Sequence, residues 1–146
     1  MEEMMPEQSL GNFYLSCDTM HRELYSVLIY EWQEIGLDWE WNDRSIVLGR
    51  RSVAKDEFLH FFNLQPGENI YPAAITIDTD HWRELVGQEE TDAFIREIKA
   101  IHELHHKRRD NIFSIDDPGH LSGPAQQQLR DVIRRFGMRT PELVPA

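Results

Sequence analysis

The chain has 146 residues, of which 40% are hydrophobic and 28% charged, and it carries a net charge of −11. That length suits one domain, burying roughly 68–70% of the surface its unfolded chain exposes, and the composition is too apolar for global disorder. Residues 1–40 hold nine carboxylates (Glu2, Glu3, Glu7, Asp18, Glu23, Glu31, Glu34, Asp38, Glu40) against one base, Arg22. Such a surface repels phosphate backbones, so non-specific nucleic-acid binding is not expected.

One cysteine, Cys17, excludes an internal disulfide and fits a reducing compartment. The stretch Met1–Pro6 is acidic and lacks the apolar segment of a signal peptide. No apolar run approaches the ~20 residues needed to span a bilayer. A cytoplasmic protein without membrane partners is expected.

Residues 1–10 read as a flexible tail, and 11–146 as a single α+β domain. A first helix is predicted over 19–35, with Asp18 as N-cap and Gly36 ending it. Met20, Leu24, Val27, Leu28 and Ile35 recur at helical spacing, and Tyr25, Ile29 and Trp32 widen the apolar arc to about half the circumference. Such a helix is either gripped on two sides or lends an edge to a partner. The period then switches to two. Leu37, Trp39 and Trp41 alternate with Asp38, Glu40 and Asn42, a strand with one buried face.

Asn42-Asp43-Arg44-Ser45 supplies a turn, and Ile46-Val47-Leu48 returns as the second strand. A third strand is predicted over 57–64, a turn at Pro66-Gly67, and a fourth strand over 71–78. Short connections imply antiparallel pairing. Asp78 or Thr79 caps a short helix that Gly87 stops. A longer helix opens at Glu89 and Glu90 and closes on Lys107-Arg108-Arg109, both ends complementing the macrodipole. Residues 110–124 read as loop, and a last amphipathic helix (Leu129, Val132, Ile133, Phe136) ends at Gly137. The expected architecture is an N-terminal helix, a four-stranded antiparallel meander, and three helices packing on the sheet.

The string His102-Glu103-Leu104-His105-His106 satisfies the H-E-x-x-H pattern. On a helix, two histidines four apart can grip one zinc ion, while the glutamate takes a proton from the metal-bound water. Glu103 would be the catalytic base, His102 and His106 metal ligands, and His120 or Asp116 the third ligand. The context opposes this. With Phe94 at the centre of a helical wheel, Ile98, Ile101 and His105 fall within about 40° of it, whereas Glu103 lies near 180°. Lys107 and Arg108 then follow directly, and adjacent cations weaken metal binding. A basic helix terminus is the simpler account.

Asp78-Thr79-Asp80-His81 offers oxygen and imidazole ligands, but capping by Asp78 accounts for it. Glu31 and His105 each stand in an apolar arc. Buried alone each is costly, so they are expected to pair in the core. Trp39 and Trp41, with Tyr25 and Trp32, offer a possible interaction surface, although large aromatics are more often core. Arg44, Arg50 and Arg51 offer a small anion site around the hairpin. Cys17 approaches a helix N-terminus and would be a mildly activated thiol. No Gly-rich phosphate loop, G-x-S-x-G elbow or C-x-x-C motif occurs. The sequence therefore points to a small intracellular binding or interaction protein without catalytic activity, acting through a protein partner or self-association. A metal-dependent hydrolase, zinc being its only cofactor, is the alternative.

Overall fold

The computed structural model describes residues 6–68 and 70–144. It is an α+β fold in which α1 (Pro6–Ser16) and α2 (Thr19–Glu34) precede four strands, β1 (Asp38–Asn42), β2 (Ser45–Ser52), β3 (Glu57–Gln65) and β4 (Ala74–Asp78). Then come α3 (Thr79–Val86), α4 (Gln88–Lys99), β5 (His105–Arg109), β6 (Ile112–Asp116), a 3-10 turn (Pro118–His120) and α5 (Gly123–Leu143). The six strands form one antiparallel sheet in the order β1-β2-β3-β4-β6-β5. Residues 1–5 of the expected tail lie outside the described residues. The rest of that segment begins α1, whose Phe13 is buried and stacks on Tyr25 at 5.7 Å.

Local chemistry explains most boundaries. The Asp18 side chain accepts from the amide of His21 and caps α2, and Gly36 leaves the helix at φ +89°. Asp78 accepts from the amides of Asp80 and His81 and caps α3, which Gly87 stops at φ +89°. Asp43, at φ +60°, turns the β1–β2 hairpin. At Gly49 the ladder shifts register, and a Cβ there would stand 2.2 Å from the Leu59 carbonyl oxygen.

The sheet has six strands rather than four, and the error lies at one place. The predicted helix through Arg109 stops at Lys99, and Glu103 takes a left-handed conformation at φ +71°. Residues 105–109 continue as β5, and Asp110, at φ +55°, turns the chain into β6. Beyond Ile101 the helical arc has only Leu104 left to bury, whereas Phe113 and Ile115 of β6 can join the core if that strand pairs. Pairing with β4 and β5 serves the backbone of β6 on both sides. The fourth strand is shorter than expected, because Tyr71 pairs back on Glu68 before Ala74 enters the ladder.

The last helix runs past Gly137 to Leu143. Gly137 is a contact point and not a stop: a Cβ there would meet the Trp32 ring at 2.6 Å and Ile35 at 2.7 Å.

One sheet face carries the core. Ile46, Leu48, Phe62, Leu64, Ile75, Ile77, Phe113 and Ile115 point into it, and residues of all five helices pack there. At its centre Trp82 of α3 stacks on Phe136 of α5 at 4.4 Å and meets Phe94 of α4 at 4.8 Å. The wide apolar arc of α2 is explained by grip on two sides. Tyr25 donates to the carbonyls of Gln65 and Ala74, and the Trp32 indole donates to those of Asp38 and Gly49. Both rings are buried, so neither belongs to an interaction surface. Trp39 and Trp41 of β1 are half-buried against the same core.

Candidate functional site

The opposite face of the sheet carries a row set by the ladder: Glu40, Val47, Asn63, Thr76, Ser114 and Lys107, one from each strand. Val47 and Ala74 on this side are buried, yet they stand outside the main core cluster. Two clefts open on this face. One, of about 400 Å³, includes Val47, His60, Asn63, Thr76, Asp78 and His81. Its neighbour, of about 340 Å³, shares Thr76 and Ile112 and reaches Lys107 and Arg109. Among the described residues the buried side-chain oxygen of Asn63 has no hydrogen-bond partner there, an acceptor that a bound donor would satisfy.

β5 ends the sheet beside these clefts. All five of its residues, His105, His106, Lys107, Arg108 and Arg109, are exposed, and its outer backbone edge pairs with no strand among the described residues. Lys107 stands 3.7 Å from Asp116, and Arg108 reaches the Thr79 hydroxyl at 3.3 Å. β1, the other edge, is acidic and contacts α1 and α2. In a chain of charge −11, the open edge is thus the cationic one.

The strand geometry takes the H-E-x-x-H motif apart. His102 and Glu103 lie in the turn after α4, and His105 and His106 project to opposite faces of β5. The His106 ring stacks on Phe113 at 5.6 Å, while His105 stands opposite Asp116 in the ladder. Asp116 accepts from the Ser114 hydroxyl at 2.7 Å. The one-face helical site that the motif needs is not formed, and Glu103 faces no paired histidines as a base.

The expected Glu31–His105 pair is also corrected. Glu31 does sit partly buried in the α2 stripe, but its partner is Arg130 of α5, at 2.6 Å, and His105 is exposed. Nor do the arginines form an anion pocket. Arg44 pairs with Glu68, Arg51 pairs with Glu40 at 2.9 Å, and Arg50 donates to the Val144 carbonyl at 2.7 Å. Asp78 acts as a cap: partial burial pushes its pKa up, but hydrogen bonds from Asn111 and the amides of His81 and Asp80 outweigh this and hold it below the usual range. Cys17 is buried, and burial followed by the Asp18 charge pushes its thiol up to about 12, the reverse of activation.

A second histidine station lies elsewhere. His21, in the first turn of α2, is wholly buried. Its Nδ1 stands 2.8 and 3.0 Å from the two Asp18 oxygens, and its Nε2 accepts from the Gly119 amide at 2.9 Å. Asp117 approaches the same Nε2 at 3.4 Å and holds His120 Nδ1 at 3.1 Å. The two imidazoles are 5.2 Å apart. For Asp18, partial burial works upward, but hydrogen bonds from the His21 amide and ring hold its pKa below the usual range. A signal for His21 existed in the sequence, since it precedes Leu24, Tyr25 and Leu28 by three, four and seven positions.

Among the described residues, no helix is long and apolar enough to cross a membrane. Comparison with known protein families, with characterised proteins and with solved structures finds no match to this chain.

Proposed function

We propose that the protein is a small binding protein without catalytic activity, whose edge strand β5 receives an extended acidic segment of a protein partner. The observation that carries this reading is the state of β5: a paired strand, exposed along its whole length, cationic, and open on its outer edge. A strand added there gains main-chain hydrogen bonds, and its alternate side chains meet His105, Lys107 and Arg109 on one face and His106 and Arg108 on the other. Acidic side chains complement both rows at close range and favour this edge over the rest of an otherwise acidic molecule. The same cations disfavour pairing of two β5 edges with each other, so the strand can stay open in solution. The buried, unreactive Cys17 suits a reducing compartment, and we take the protein to work in the cytoplasm.

The test uses a labelled peptide of alternating valine and glutamate, and its lysine counterpart, titrated into the whole protein and followed by backbone amide NMR. The glutamate peptide is expected to shift the amides of residues 105–109, with binding that weakens as salt rises. Shifts confined to other regions, or equal binding of the lysine peptide, would refute the proposal. A short single-stranded RNA in the same titration distinguishes an acidic peptide from a nucleic acid. Tighter binding of RNA at β5 would overturn the choice of partner.

A further inference from the structure

We infer that Asp18, His21 and His120 form a binding site for one divalent transition-metal ion of the zinc class, with Asp117 orienting both imidazoles. The site is independent of the β5 reading and shares no residue with the H-E-x-x-H string. Each of the three residues offers a ligand atom, and these atoms all lie within 4.8 Å of one another. Zinc binds imidazole nitrogen and carboxylate oxygen at about 2.0–2.2 Å, so neighbouring ligand atoms in a tetrahedral site stand about 3.3 Å apart. The Asp18 oxygens, at 2.8 and 3.0 Å from His21 Nδ1, need to retreat by only a few tenths of an ångström to admit an ion.

The surroundings supply the carboxylate that a histidine metal site needs, at the expense of one existing hydrogen bond to His21. Metal-bound imidazoles almost always donate their second nitrogen to a carboxylate or carbonyl. Asp117 already touches both rings, at 3.4 Å from His21 Nε2 and 3.1 Å from His120 Nδ1. In the proposed site His21 Nδ1 and His120 Nε2 are the ligating atoms. Two carboxylates and two neutral imidazoles balance a dication. Two imidazoles favour zinc, cobalt or nickel over magnesium or calcium, which prefer all-oxygen sets. His21 is buried while Asp18 and His120 are about half exposed, so the site is anchored at the back and open in front to a water or a further ligand.

Metal binding also changes the existing hydrogen bonds in a defined way. Because Nε2 accepts from the Gly119 amide, Nδ1 carries the ring proton and donates to Asp18. An ion at Nδ1 displaces that proton. The neutral ring then carries its proton on Nε2 and must turn it away from the Gly119 N–H toward Asp117, so that the Gly119 N–H loses its acceptor. The Gly119 amide is therefore a built-in reporter of occupancy.

The experiment titrates zinc into untagged, metal-free protein by calorimetry, then cobalt with visible absorption and the Gly119 amide as readouts. The exposed histidines of the β5 region could bind zinc at the surface, so the wild type is compared with the triple variant His102→Ala/His105→Ala/His106→Ala. The inference expects one ion per chain in the triple variant and at least one in wild type, a cobalt spectrum of tetrahedral type in the triple variant, and a shift of the Gly119 amide in both. His120→Ala should weaken binding at least tenfold, and Asp117→Asn by about 10–100-fold. Asp18→Asn, which keeps a capping oxygen, should also weaken it tenfold or more. His120 is half exposed, so an unchanged melting temperature of metal-free His120→Ala separates lost ligation from lost fold. No binding at millimolar zinc overturns the inference. So does binding that survives His120→Ala, or that disappears in the triple variant.

Discussion

His102 and His106 stand exposed on either side of a left-handed turn, the second on an edge strand, whereas His21 and His120, far apart in sequence, meet between the start of α2 and the 3-10 turn. The first group matches a metal motif by letters, and the second matches none. Yet only the second is assembled: one ring buried, both rings held by carboxylates, and an amide aimed at a ring nitrogen. Spacing in sequence becomes geometry only through backbone conformation. Four residues apart means one face on a helix and something else across a left-handed turn into a strand.

The comparison breaks most readily at His21. His21→Ala removes a buried side chain and leaves the Gly119 amide without its acceptor, and we expect a loss of about 3 kcal/mol in urea unfolding. His105→Ala and His106→Ala on the exposed strand should stay within about 0.5 kcal/mol of wild type. Equal costs at the two stations would end the distinction.

Gly137 sharpens it from the other side of α2. Gly137→Ala places a methyl group against Trp32 and Ile35, and overpacking costs about 1–3 kcal/mol. Offset by the roughly 1 kcal/mol that alanine gains in a helix, a net loss of about 1 kcal/mol is expected in the same assay. A gain in stability would mean that α2 and α5 are not pressed together there.

A smaller effect is expected in acid. The carboxyls of Asp18 and Asp78 have folded-state pKa values below their unfolded values. Their contribution is therefore fully present above about pH 4, the unfolded aspartate value, and is lost as pH falls through the folded values. Melting temperature should fall in that acid window. The double variant Asp18→Asn/Asp78→Asn, which keeps acceptor oxygens at both caps, should show a shallower fall. An identical slope would remove these caps from the acid response.

Where short-range chemistry decides the backbone, the sequence was legible. The caps at Asp18 and Asp78, the stops at Gly36 and Gly87, and the β1–β2 hairpin all follow from single residues and their neighbours. Residues 105–109 were not legible, because histidine, lysine and arginine tolerate helix and edge strand alike. Only the need of β6 for a partner, a long-range fact, selects the strand. Asp110 ahead of Asn111 carries a turn signal of the same kind as Asp43 ahead of Arg44, and it joins two strands where the sequence suggests a helix running into a loop. Glu31 stands out in the sequence as a carboxylate in an apolar stripe, but its partner Arg130 is on the last helix, where no local pattern singles it out. His21 was visible at helical spacing and its companions were not, since Asp117 and His120 arrive through the turn after β6.

The most direct test of the central claim, that β5 is an open cationic edge fitted to an acidic strand, is charge reversal on that strand. Binding of the glutamate and lysine peptides is compared between wild type and Lys107→Glu/Arg109→Glu. We predict that wild type binds the glutamate peptide and that the variant, its melting temperature within a few degrees of wild type, turns to the lysine peptide. Retention of the original preference by the folded variant, or no binding of either peptide to wild type, would contradict the account.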